Sequence, residues 1–493
     1  MFNLTPKVEQ LSFMEQVQQV NDLTTRNPLK FLQLLSEHID LPTLIPHSFY
    51  MAYYSSETNK RDYQLESILA VLLLMHFFKF ANVGNFTVLL ILSPAVREFC
   101  RLEGDNAPDE SVLSKFKIKF ENELRLFFEN LSLRVMDIFS EHDASLPDDS
   151  PEKGLHEQLI NDTSGLKPKV KENNPKTLSS EVKKQSNYKK YLENQGKDKG
   201  FDVYKAAFKN MPKYASANEA IRLGYANGHF GYFYKFGLLT NGFGIPLHIY
   251  FLDKDFYDKL PDEFDSPEDQ KYAFDNASLR PVLSSFYKRI GERHFTTFLG
   301  DSEFDSYDNY GFLRQLGFQK MLVPINERNT PVSNQPIPVN AEGIPVCPKD
   351  TSLKFIPNGN CQGKNRSLRF KFVCPKSRKV NNAWVCDCCQ KCRETNSTVT
   401  AYTYPVGDLR TFPGIQRGSL EWNKTYKNRT IIEREISSMK SHPALERPNT
   451  YNSASMRADV FLNASAKLIT VMLAFAIGKP DFMRNLKDLL NAA

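Results

Sequence analysis

No unbroken apolar run in this 493-residue chain reaches the ~20 residues that a membrane-spanning helix needs. The nearest approach, "ESILAVLLLMHFFKFANVG" at residues 66–84, is interrupted by His76 and Lys79, which predicts a buried helix instead. The first residues, "MFNLTPKVEQLSF", hold no cationic stretch leading into an apolar core, so no secretion signal is expected. A P-loop, a nucleotide-binding glycine pattern and a Ser, Tyr or Cys nucleophile motif are all missing. A large excess of one charge is missing too: a net charge of +6 permits an anionic partner without demanding one. With 41% hydrophobic and 24% charged residues, the expectation is a soluble intracellular protein of two to four domains.

What is present falls into zones. Residues 1–145 read as a helical domain, with few turn signals inside long apolar-periodic stretches. In "APDESVLSKFKIKFENELRLFF", Asp109 stands at a helix start and Val112, Phe116, Phe120 and Leu124 form one stripe, with Lys115, Lys117 and Lys119 on the other faces. From Lys167 to Lys213 there are 13 lysines against 5 acidic residues, which reads either as a solvated linker or as a phosphate-binding surface. Within 150–326 the predicted order is strand, hairpin, helix, strand, helix, strand. "EQLIND" is a strand ending at Asp162, "GYFYKFGLL" and "IPLHIYFL" form the hairpin about "TNGFG", and "FTTFLGDS" is a strand ending at Asp301. This order predicts a mixed α/β sheet with flanking helices.

Late in the chain stands "YKNRTIIEREISSMK". At about 100° per residue, Tyr426, Arg429, Glu433 and Lys440 of one helix share an arc of roughly 60°, and Ile432, Ile436 and Met439 share the arc beside it. Such a helix buries its isoleucines and aims an acid and two cations along the rim of a core. Two acids at strand ends and a third on a late helix form a constellation: three carboxylates can hold a pair of Mg²⁺ ions ~4 Å apart for phosphodiester chemistry.

The Tyr426-x2-Arg429-x3-Glu433-x6-Lys440 spacing resembles the Tyr-Arg-Glu-Lys signature of bacterial insertion-sequence transposases of the DDE type. "GDSEFDS" around Asp301 resembles the second acidic motif of that family and "INDTSGLKPK" around Asp162 the first. "PDESVLSKFKIKF" resembles a short motif of the family's N-terminal helical domain. The resemblance spans about residues 60–480 and implies a ribonuclease-H-like catalytic core. By position it implies that Asp162, Asp301 and Glu433 are catalytic and bind two Mg²⁺ (or Mn²⁺) ions. Arg429, Lys440, Tyr426, Lys167 and Lys169 would then contact DNA. Its implied partners are terminal inverted repeats and target DNA, with a homodimer on DNA, no membrane, and a bacterial cytoplasmic, nucleoid-associated setting. The other reading is a catalytically silent DNA-binding derivative, a domesticated regulator or repressor.

Seven of the eight cysteines fall between 327 and 412, where the sequence predicts a cysteine-rich insertion. Clustered thiols without a secretion signal point to metal rather than disulfides. A structural Zn²⁺ on Cys374, Cys386, Cys389 and Cys392 is the leading expectation, beside a reduced thiol cluster and an iron–sulfur cluster. Residues 413–454 then complete the catalytic core with the Glu433 helix. Residues 455–493, with "VFLNASAKLITVMLAFAIG", form a C-terminal helix suited to core packing or a dimer contact. Trp422 is expected to be a packing residue.

Overall fold

The computed structural model describes residues 30–492 apart from 56–60, 105, 198–199, 227–228, 262, 265, 327–336, 339, 341–343, 363–367, 391, 393–398, 404–408 and 411. Helices fill the first part, including Leu65–Phe77, Glu110–Lys119 and Glu121–Ser145. Leu65–Phe77 is buried on nearly every face, which is why it reads as apolar all round. The stripe beginning at Val112 belongs to two helices rather than one: Asp109 caps the first through the Val112 amide (2.7 Å), and the chain leaves helical geometry at Phe120. Helix Ser453–Ala476 is long and apolar enough to cross a membrane, but most of it lies inside the core, packed on Leu65–Phe77 and Glu121–Ser145.

The sheet supplies the frame for everything else. Strands β1 (Gln158–Leu166), β2 (Tyr214–Ala215), β3 (Asn218–Ala226), β4 (His229–Asn241), β5 (Pro246–Phe251), β6 (Thr297–Leu299) and β7 (Lys320–Leu322) join in the order β2-β3-β4-β1-β6-β7, with β5 also on β4. β1 runs antiparallel to β4 and parallel to β6, and β6 parallel to β7. The predicted strand ending at Asp162 instead runs on to Leu166. The long β4 continues to pair with it, down to Leu166 opposite Tyr234.

Side chains alternate across β1 as the strand period requires. Ile160 and Leu166 enter the large core shared with the N-terminal helices and Ser453–Ala476. Leu159 faces a second core with Leu279, Val282, Leu283 and Phe286 of helix Pro267–Tyr287. The lysine-rich segment is not a linker: it forms helices Pro175–Asn194 and Val203–Asn210.

After β7 come β8 (Val346–Cys347), β9 (Asp350–Lys354), β10 (Ile356–Gln362), β11 (Leu368–Val373), β12 (Ser377–Val380), β13 (Ala383–Cys386) and β14 (Thr400–Thr403). β12 and β13 pair only with each other, while the rest of the segment holds a small apolar cluster that includes Cys347, Phe355, Phe370, Phe372 and Cys374.

Candidate active site

Sheet register brings the first two acids together. The parallel ladder ends with Ile160 opposite Leu299, Asp162 and Asp301 each follow two residues later, and the charge of Asp301 acts on Asp162. Adjacent strands lie only ~4.8 Å apart. Asp162 has the parity of Ile160 and therefore faces the large core, the side on which Ile432 is fully buried. Asp301 sits past the end of β6, where its carboxylate accepts the Ser302 amide (2.6 Å) and caps a 3₁₀ turn.

The third acid arrives on a broken helix. The expected continuous helix from Tyr426 is instead Leu420–Tyr426, a 3₁₀ turn at Lys427–Arg429, and helix Thr430–Lys440. Asn428 in the turn donates to the Gln158 side chain (3.0 Å), tying the break to the start of β1. Ile432 and Met439 are buried, and Ile436 packs partly against the core. Arg429 then lies between two acids, 3.1 Å from Asp301 Oδ2 and 2.8 Å from Glu433 Oε1. Tyr426 stacks on Trp422, whose ring is buried beneath the Arg417 guanidinium, so Trp422 packs as expected.

The charges at this site are strongly coupled. Burial pushes the Asp162 carboxyl up to about 7, against the pull of Arg429 and the Thr163 amide, and the charges of Asp301 and Asp275 add to the rise. Burial alone would lower the Arg429 pKa, but Asp301, Tyr426, Asp162 and Glu433 together raise it. Burial lowers the pKa of Lys440, with the charge of Asp162 opposing and that of Lys235 assisting. Lys167 and Lys169 are exposed just beyond β1.

Behind Asp162 lies a network that the motifs did not reveal. Thr163, of opposite parity, donates to Asp275 on helix Pro267–Tyr287 (2.9 Å), and buried Lys235 of β4 donates to the same oxygen (2.8 Å). Lys271 bridges Asp275 (3.5 Å) and Glu303 (3.2 Å). The legible signal was Lys235 itself, a cation inside the aromatic run "GYFYKFGLL". Asp305, the acid nearest to Asp301 in the motif, is fully buried and bonded to Arg410 (2.7 Å) and the Asn326 amide (2.7 Å), whereas Asp301 meets Arg429.

All eight cysteines are free thiols. Of the four expected zinc ligands, Cys374 is buried, Cys386 ends β13, and Cys389 and Cys392 are exposed. Cys347, which was not among them, adds to the rise that burial brings to the pKa of both Cys392 and Cys374. Among the described residues, no three His, Cys, Asp or Glu side chains are already arranged to hold a metal ion. At the acidic site the reason is visible: the Arg429 guanidinium stands between Asp301 and Glu433.

Comparison with known proteins places one part of the chain. No curated protein and no solved structure matches it. Residues 16–119, ending with helix Glu110–Lys119, match the family model described as a transposase domain (DUF772), which supports a transposase role in general terms.

Proposed function

We propose that this protein is a DDE-type DNA transposase with a ribonuclease-H-like catalytic core. It would bind the terminal inverted repeats of its element, cleave their ends hydrolytically and join the freed 3′ hydroxyl to target DNA. The observation that carries this reading is Arg429 bonded to both Asp301 and Glu433, with Asp162 and Asp301 each two residues past the end of the β1–β6 ladder. The strand order β5-β4-β1-β6-β7, antiparallel on one side of β1 and parallel on the other, supports the fold reading.

Three carboxylates offer the hard oxygen donors that Mg²⁺ or Mn²⁺ prefers, and a bound cation would favour the ionised form of Asp162, which burial disfavours. Asp162, Asp301 and Glu433 would hold two such ions, which supply water activation and stabilisation of the leaving oxygen. The chain's own residues do the positioning. Arg429, on leaving the acids, and Lys440 meet backbone phosphates, Tyr426 packs at the cleavage point, and Lys167 and Lys169 follow the duplex outward. The Thr163–Asp275–Lys235 network fixes the backbone beside Asp162. Two copies would pair two ends in the cytoplasm, where the nucleoid is.

Arg429 seated between Asp301 and Glu433 favours a second reading, a DNA-binding derivative that no longer cuts. One incubation separates them: a plasmid bearing the gene's own flanking DNA, with Mg²⁺ or Mn²⁺, beside the Glu433→Ala variant. Cleavage at two inverted-repeat ends that the variant loses, with two copies per paired complex by sedimentation, is the expected result. Binding without cutting by either protein in both metals leaves the silent derivative.

A further inference from the structure

We propose that helix Pro175–Asn194 is a DNA-backbone arm, a sequence-independent contact for duplex DNA outside the acidic site; the inference rests on the transposase reading above. The helix has no buried residue. Its inner face, with Leu178 and Val182, leans on the core and on helix Val203–Asn210. Its outer face carries Lys176, Lys183 and Lys190, all exposed and seven residues apart. At ~1.5 Å per residue they form a row about 21 Å long, the length of roughly six base steps. Lys184 and the rings of Tyr188 and Tyr191 flank that row; the two tyrosines are 50% and 56% exposed and stack on each other at 6.2 Å.

The mounting is rigid. The Asn173 side chain donates to the carbonyls of Pro168 and Tyr232 and accepts the Tyr232 amide, each at 2.9 Å, which clamps the base of the helix to β4. Buried Glu172 accepts the Ser216 amide (3.0 Å). At the far end Asp202 caps Val203–Asn210 through Tyr204 (2.8 Å) and Lys205 (3.1 Å). The base follows the end of β1, the strand that bears Asp162, so the arm is the next α-helix along the chain from that acid.

Composition selects the partner. Between Lys167 and Lys213 the 13 lysines are accompanied by no arginine. Lysine is a hydrated point charge suited to phosphate, whereas bidentate reading of guanine falls mainly to arginine. Exposed tyrosine hydroxyls add donors for phosphate and sugar oxygens. The surface therefore fits the backbone of double-stranded DNA and reads no sequence.

The test is a titration of a fluorescein-labelled mixed-sequence duplex over a series of salt concentrations. It compares the full chain with Lys176→Gln/Lys183→Gln/Lys190→Gln and with the matching triple Arg variant. Each phosphate contact contributes about 0.9 to the slope of log K against log salt. The Gln variant should lower that slope by about two to three and weaken binding at least about tenfold, and the Arg variant should keep both. An unchanged slope in the Gln variant, with melting behaviour intact, overturns the arm alone. If the unaltered chain binds no duplex, the transposase reading and the arm fall together.

Discussion

Lys117 shows how a single residue can belong to a different environment from the one its neighbours suggest. It sits in a Lys-rich run, but only Lys115 and Lys119 stay on the surface side of the helix. Lys117 is buried and bonds both carboxylate oxygens of Asp459 on helix Ser453–Ala476 (2.8 and 3.0 Å). His76 approaches the same carboxylate at 3.6 Å and stacks on His442, just past the acid-bearing helix. Burial would raise the Asp459 pKa, but Lys117 and His76 hold it down to about 2. Removing one partner of a buried pair costs about 3–5 kcal/mol, so Lys117→Met should destabilise the fold by that much in urea unfolding, and Lys117→Met/Asp459→Leu should recover most of it. A folded pKa below the unfolded value of about 3.9 means that the stabilisation is fully present above pH ~4 and is lost as pH falls towards ~2. The stability gap between the native chain and Asp459→Asn should close across that interval; a gap that stays constant would show that the pair is not titrating as described.

At the scale of elements, the seating of helix Thr430–Lys440 depends on a turn elsewhere. The β4–β5 hairpin is held by the Asn241 side chain, which accepts the Phe243 and Ile245 amides (both 3.1 Å). Gly244 in that turn has φ of +75°, and a Cβ there would collide with Ile431. Gly244→Ala therefore meets two obstacles, left-handed backbone and steric contact with the acid-bearing helix. It should cost more than about 1 kcal/mol and reduce cleavage beyond what the lost stability explains, because the helix that carries Glu433 must shift. Normal cleavage at a temperature where the variant is fully folded would argue that the helix position tolerates that displacement.

For the whole molecule, one apolar core runs from Phe31 through the sheet and Ile432 to Leu489, joining the N-terminal helices to the acid-bearing helix. The β8–β14 unit stands apart with its own small core and depends on fewer apolar side chains. Structural zinc on the thiols that the sequence suggested, Cys374, Cys386, Cys389 and Cys392, is the staple we propose for it. Protein purified without chelator should then contain about one zinc per chain by elemental analysis, and Cys374→Ser/Cys386→Ser should lose it. An absence of zinc in the native chain, with the thiols fully titratable, would leave a reduced thiol cluster in its place.

The sequence by itself determined the alternating strands, the hairpin at Asn241, the buried character of Leu65–Phe77 and the two-stripe pattern around Glu433, because local periodicity and turn chemistry encode them directly. It also supplied the acids as candidates, since carboxylates at strand ends are visible one at a time. Tertiary structure alone decided which atoms meet. Parallel register set Asp162 beside Asp301, a 3₁₀ break turned Arg429 between Asp301 and Glu433, and strand parity sent Thr163 and Lys235 to Asp275. The burial of Lys117 and the entry of Cys347 among the thiols are of the same kind. Each rests on a partner distant along the chain, and the pairing of distant residues is fixed by packing rather than by any local pattern.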